Sequence, residues 1–208
     1  MADRASQTIF VMSAGLPWPH DAHASDTLGA LDDVALYQQG EPRPCAIRRI
    51  ASGGAMIRLR DAPLSGAEVA LELATGQRAA ATVEWARGEE AAIRFRQPID
   101  MVALLNRKLV AQTAERRRMP RVELRCHVGL RWGGSLAAAT LRNISATGIQ
   151  VEGDGLPATD TFVSIFIDGL VIPSGEVVWK QGRLAGIELM EELRWSSLMP
   201  WIRTQARG

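Results

Sequence analysis

A constant offset of 94 residues runs through this chain and constrains its fold more than any local motif. Trp85 falls on Trp179, Gly54 on Gly148, Gly88 on Gly182 and Ile93 on Ile187. Val69, Leu71 and Leu73 fall on Val163, Ile165 and Ile167, and Val83 falls on Val177. The pattern Trp-x-x-Gly-x-x-Ala-small-Ile-x-apolar reads Trp85 to Phe95 in one copy and Trp179 to Leu189 in the other. Gapless agreement at separate places marks a duplicated structural unit. A chain of 208 residues has room for two such units, at about 100 residues each. Its apolar content of 47% suffices for two cores.

Each copy reads as β-structure. Alternation is clear in Ala55 to Leu59, Val69 to Leu73 and Ala92 to Arg96, and in their counterparts Ile149 to Val151, Phe162 to Ile167 and Gly186 to Leu189. Turn residues punctuate these runs at Ala74-Thr75-Gly76, Arg87-Gly88-Glu89, Asp168-Gly169 and Gln181-Gly182-Arg183. Short strands at this spacing predict a small antiparallel barrel or sandwich. Each copy closes in a helical pattern. In the first, Met101, Leu104, Leu105, Leu109 and Val110 share a face; in the second, Leu193, Leu198, Trp201 and Ile202 do so despite Pro200. The expected domains are 31–114 and 115–208, behind an irregular segment 1–30 in which Thr8 to Met12 can form an extra strand.

Formal net charge is only +1, so the total suggests no general nucleic-acid surface. Charge is concentrated instead. Glu115 to Arg125 holds five arginines (Arg116, Arg117, Arg118, Arg121 and Arg125) against two glutamates, Glu115 and Glu123. Pro120 predicts a helix stop just before Arg121. Twenty-two residues beyond Arg121 comes the polar turn Asn143-Ile144-Ser145-Ala146-Thr147-Gly148. A guanidinium fork can pair with phosphate oxygens, bridge guanine O6 and N7, or stack on a base; lysine lacks that geometry. Asn143 offers amide donors and an acceptor, Ser145 a short hydroxyl, and Gly148 a backbone free of Cβ.

Arg117 to Arg121 fits Arg-x-x-x-Arg, and Asn143 to Gly148 fits Asp/Asn-x-Ser-x-x-Gly. With a β-barrel and a C-terminal helix around them, residues 115 to 205 closely resemble the PilZ domain, a bacterial receptor for the second messenger cyclic di-GMP. The resemblance reaches residues 42 to 112 only through the internal repeat. It implies a mainly β fold of two tandem PilZ-like antiparallel barrels, each followed by a C-terminal α-helix. It also implies a non-catalytic receptor without a cofactor, whose ligand is cyclic di-GMP. Arg117 and Arg121 would be the motif arginines, Arg116 and Arg118 would assist, and Asn143, Ser145 and Gly148 would form the turn. The first copy carries Arg49, Ala51 and Gly54 where the second has Asn143, Ser145 and Gly148, and has no Arg-x-x-x-Arg nearby. It is therefore expected not to bind the nucleotide.

Other features carry blander readings. Trp85 and Trp179 occupy the same place in a binding and a non-binding copy, so they read as core. His20 and His23 lack companions for a metal site. Cys126 and His127 are strand neighbours facing opposite ways, poor partners for nucleophilic chemistry. Asp32-Asp33, Glu89-Glu90 and Glu191-Glu192 read as solvent-facing turn or helix-end pairs, and Ser52-Gly53-Gly54 and Gly133-Gly134-Ser135 lack a P-loop lysine. Two cysteines, Cys45 and Cys126, are too few for a disulfide framework and read as reduced thiols. No signal-peptide pattern and no apolar run long enough to span a membrane is found, so the expected location is the cytoplasm. Expected partners are the dinucleotide and a protein or a second copy, with the first barrel and its helix as output surface, and no DNA or RNA. The rival reading is a protein-docking module of the same fold that binds no nucleotide.

Overall fold

The computed structural model describes residues 8–12, 15–17, 32–73, 76–111 and 121–205. The chain divides into two compact units, Met1–Pro120 and Arg121–Gly208. The first contains β1 (Ile9–Val11), β2 (Asp32–Gln38), β3 (Glu41–Ala51), β4 (Gly54–Arg58), β5 (Glu68–Glu72), β6 (Arg78–Arg87), β7 (Glu90–Phe95) and α1 (Met101–Ala111). The second contains β8 (Arg121–Trp132), β9 (Ser135–Ile144), β10 (Gly148–Glu152), β11 (Phe162–Ile167), β12 (Gly175–Gln181), β13 (Leu184–Leu189) and α2 (Trp195–Gln205). No helix among the described residues is long and apolar enough to cross a membrane.

In the first unit the strands pair in the order β2-β3-β4-β7-β6-β5 and close through β5 back onto β2, where Leu36 faces Leu71. The second repeats the circuit as β8-β9-β10-β13-β12-β11, closing where Ile165 faces Leu130. Both are six-stranded antiparallel barrels, a closure that leaves no open sheet edge within the ring. The inward positions are the alternating apolar residues. Ile57, Leu71, Val83 and Ile93 fill the first barrel, and Val151, Ile165, Val177 and Ile187 fill the second.

The offset of 94 holds at the level of single backbone hydrogen bonds. Leu59 N–H to the Glu89 carbonyl recurs as Gly153 to Arg183, and Arg96 to Ala80 recurs as Met190 to Ser174. The two-residue turn Gln39-Gly40, with φ of 52° and 88°, recurs as Gly133-Gly134 at 46° and 84°. Two successive left-handed residues match the twist of the strands they join.

Bulges recur as well, and they correct one expectation. The ladder skips Glu84 between Val83 and Trp85, and Val178 between Val177 and Trp179. An inserted residue reverses the facing of the residues beyond it. Each tryptophan therefore leaves the core series and pairs with an outward residue, Trp85 with Ala92 and Trp179 with Gly186. Both are half-buried on the barrel exterior, not core. The Trp179 ring lies against Gly186, where any Cβ would overlap its indole nitrogen.

Helix α1 begins at Asp100, whose carboxylate accepts from the Ala103 N–H at 3.0 Å, an N-cap. It buries Met101, Leu104 and Leu105. Helix α2 continues through Pro200 and buries Leu198, Met199, Trp201 and Ile202. A mid-helix proline costs about 3 kcal/mol. Each buried side chain returns about 1.5–3 kcal/mol, so burial wins. The Trp201 indole N–H also donates to the Asp168 carbonyl at 2.9 Å, fastening α2 to the end of β11. Trp201→Phe should keep the packing, lose that bond and lower second-barrel stability by about 1 kcal/mol, read from urea denaturation.

Closure of the second barrel requires β10 to lie close against β13. A Cβ on Gly148 would sit 2.8 Å from the Ile187 carbonyl oxygen, a backbone atom that cannot move alone. Gly148→Ala should therefore cost the second barrel about 1–3 kcal/mol by overpacking. The expected readout is a lower urea midpoint for this barrel, with the first barrel's transition unchanged.

Candidate functional site

The turn Ile144 to Ile149 is built by backbone bonds from three directions. Ser145 N–H donates to the Gly148 carbonyl at 2.9 Å and closes the turn. Leu189 N–H reaches the Thr147 carbonyl at 2.9 Å, and Leu193 N–H reaches the Ala146 carbonyl at 2.8 Å. The end of β13 and the stretch after it thus grip the turn at two successive residues. In the first barrel Phe95 holds Gly53 and Ile99 holds Ser52 in the same way, each at 2.9 Å. The grip belongs to the frame; what differs is the side chains on it.

Asn143 and Ser145 are both buried, at 7% and 4% exposure. Asn143 lies between Gln150 on β10 and Glu123 on β8 in the strand register, and its Nδ2 donates to the Gln150 Oε1. The Ser145 hydroxyl donates to the Gly148 carbonyl at 3.2 Å. Part of their hydrogen-bonding capacity is therefore spent on the turn itself. An amide has four hydrogen-bonding positions and a hydroxyl three, so capacity for a further partner is left over. Gly148 acts through close approach to Ile187, with no left-handed backbone required.

Arg121 opens β8 and is exposed. Its neighbour Val122 pairs with Ile144, so the register brings Arg121 alongside Ser145. One arginine of the first motif and the whole second motif thus meet at one end of one barrel. Arg116, Arg117 and Arg118 lie outside the described residues, as do His20 and His23 and the stretch after α1 in which Pro120 was expected to stop a helix. Sequence reasoning missed Gln150, the residue that orients the Asn143 amide. It became visible only through the pairing of β9 with β10. Arg142, next to Asn143, forms an ion pair with Glu152 across the same two strands.

A depression of about 440 Å³ lies elsewhere, along Ile165 to Ile172. It is open and chiefly apolar, without the convergent polar groups a ligand site needs. Both cysteines are free. Burial pushes the Cys126 thiol above its ordinary pKa, which keeps it protonated and a weak nucleophile.

No curated protein matches the chain. Among solved structures, the PlzA protein of Borreliella burgdorferi in complex with c-di-GMP is 10% identical, with 83% of this chain and 86% of that one covered and a TM-score of 0.33. The Bacillus subtilis inhibitor of motility, MotI/DgrA, is 16% identical over 86% and 96% of the two chains, with a TM-score of 0.32. YcgR of Escherichia coli in complex with c-di-GMP is 11% identical over 84% and 80%, with a TM-score of 0.27. The family comparison is specific: residues 115–196 match the model of the PilZ domain, the same barrel that brings Arg121 beside the Asn143–Gly148 turn. Residues 115–196 are thus similar to a PilZ domain.

Proposed function

We propose that the second barrel is a non-catalytic receptor for cyclic di-GMP. The observation that carries this reading is the meeting of Arg121 with the Asn143–Gly148 turn on a PilZ frame. The ligand presents two phosphodiester charges and two guanine edges. Arg117 and Arg121 supply forked donors to phosphate and to guanine O6 and N7, and Arg116 and Arg118 supply further charge or a stacking surface. Asn143 and Ser145 hold the turn and offer their remaining capacity to a base edge, while Gly148 keeps the turn seated on β13.

The first barrel is silent in this reading, because Arg49 and Ala51 replace the asparagine and serine. Domains then run 31–114 and 115–208, and the arm 112–121 between them is the hinge. Ligand held by both the arm and the barrel favours one interdomain arrangement over others, the differential affinity a switch requires. Output passes to a protein partner or a second copy, in the cytoplasm.

Isothermal titration tests the assignment. Wild type should bind cyclic di-GMP, and Arg117→Ala and Arg121→Ala should each weaken binding at least tenfold. Such a loss corresponds to about 1.5–3 kcal/mol, the contribution of one hydrogen bond to a charged group. Both variants should keep the wild-type circular dichroism spectrum. Binding should also weaken as salt rises, since the contacts are largely ionic. Absence of heat with wild type well above micromolar concentrations would favour the protein-docking reading instead.

A further inference from the structure

The place on the first barrel that corresponds to the candidate ligand site is already filled by the chain itself. Strand β1 lies parallel to β3, with Ile9 beside Arg49 and Phe10 beside Ile50. The Thr8 hydroxyl donates to the Ile47 carbonyl at 2.7 Å, and Thr8, Phe10 and Val11 are all buried. Farther along, the Arg49 Nε donates to the Pro17 carbonyl at 2.7 Å. Leu16 and Gly15 lie against the turn, 3.5 and 3.7 Å from where a Cβ on Gly53 would stand.

By the repeat offset, Arg49 corresponds to Asn143, Ile50 to Ile144, Ala51 to Ser145 and Gly53 to Thr147. In the second barrel β8 pairs along β9 as far as Ile144. In the first, β2 pairs with β3 only as far as Ile47, and β1 takes over the edge beyond it. Phe10 thus stands beside Ile50 as Val122 stands beside Ile144. Val11, the next residue outward, stands where the second barrel has Arg121. An apolar strand replaces the arginine-bearing one, and Arg49 reaches a peptide carbonyl.

We propose that the first barrel carries a peptide-binding site in the position of the second barrel's ligand site. Its ligand class is an extended peptide with adjacent bulky apolar residues, and residues 8–12 and 15–17 are its resident occupant. The recognition mode is strand addition: backbone pairing to β3, a buried aromatic residue, and a guanidinium on a downstream carbonyl. The occupant is joined to the barrel through the chain, which sets its effective concentration at about millimolar. A competing peptide of equal intrinsic affinity must approach that concentration to displace it. The site is therefore closed to micromolar competitors unless the resident strand is weakened. This holds whether or not the second barrel binds nucleotide.

The test uses the full-length chain and a fluorescent peptide of residues 7–18. With Phe10→Asp in the protein, the peptide should bind saturably, at least tenfold more tightly than to wild type. A peptide carrying the same Phe10→Asp change should not bind. Adding Arg49→Ala to the Phe10→Asp protein should weaken capture of the intact peptide. Failure of that peptide to bind a Phe10→Asp chain with native circular dichroism would overturn the proposal. Should Phe10→Asp unfold the first barrel, the milder Thr8→Val decides by hydrogen exchange. The Ile50 amide should then exchange at least tenfold faster than in wild type, with β10 and β13 unaffected. Unchanged exchange there would overturn the proposal equally.

Discussion

Each barrel depends on how its third strand, β4 or β10, meets the strand before the C-terminal helix, β7 or β13. At Gly148 the approach is so close that the Ile187 carbonyl leaves no space for a side chain. That contact seats β10 on β13. It also brings the backbone after β13 within reach of the turn, so that Leu189 and Leu193 can hold Thr147 and Ala146. The turn is thus fixed by main-chain groups that any side-chain sequence would supply. Evolution can alter what the turn displays without loosening it, provided the glycine stays. Both copies have kept it, as Gly54 and Gly148.

The duplication separates what the frame requires from what each copy has made of it. Inward positions remain apolar in both barrels, since burial of each contributes about 1.5–3 kcal/mol. Outward positions have diverged without constraint from closure. Glu68, Glu72, Glu84 and Arg96 of the first barrel correspond to Phe162, Phe166, Val178 and Met190 of the second. The former are tied into ion pairs with Arg96, Arg78, Arg94 and Glu68 respectively, while the latter are exposed apolar side chains. Exposed pairs contribute only about 0–1 kcal/mol, so neither choice governs folding. One frame carries both surfaces.

Much of this was legible in the sequence because the repeat supplied an internal comparison. The alternating runs, the terminal helices and the concentration of chemistry in the second copy all came from residue types at fixed spacing. What escaped was set by strand pairing. Asp32 and Asp33 read as a turn or helix end, yet they lie in β2 opposite Ile47 and Ala46. Backbone pairing overrides the poor strand propensity of aspartate. Pro42 and Pro44 lie within β3, where β4 has not yet begun to pair and one side of the strand is open. The tryptophans were misplaced because a single bulged residue reverses facing, and alternation read along one strand cannot reveal a bulge in its pairing. Gln150 was overlooked for a related reason: its partner Asn143 is near in space only through the ladder.

Asn143 and Arg49 stand at the same position of a shared frame but offer different hydrogen-bonding groups. Asparagine carries both donors and an acceptor on a short side chain, and Asn143 is held in place by Gln150. Such a group can meet a base edge, which presents donors and acceptors together. Arginine has five donors and no acceptor on a long stem. Arg49 extends to a peptide carbonyl, a target that needs only a donor. A guanidinium there cannot accept from a guanine edge, and with Val11 in place of Arg121 no second cation stands beside it from the adjoining strand. The neighbouring strand has taken the same direction, apolar beside Arg49 and cationic beside Asn143. If the two proposed sites are as assigned, the turn residue and the strand beside it suit the same class of partner in each barrel. Changing either alone would then leave a site matched to neither.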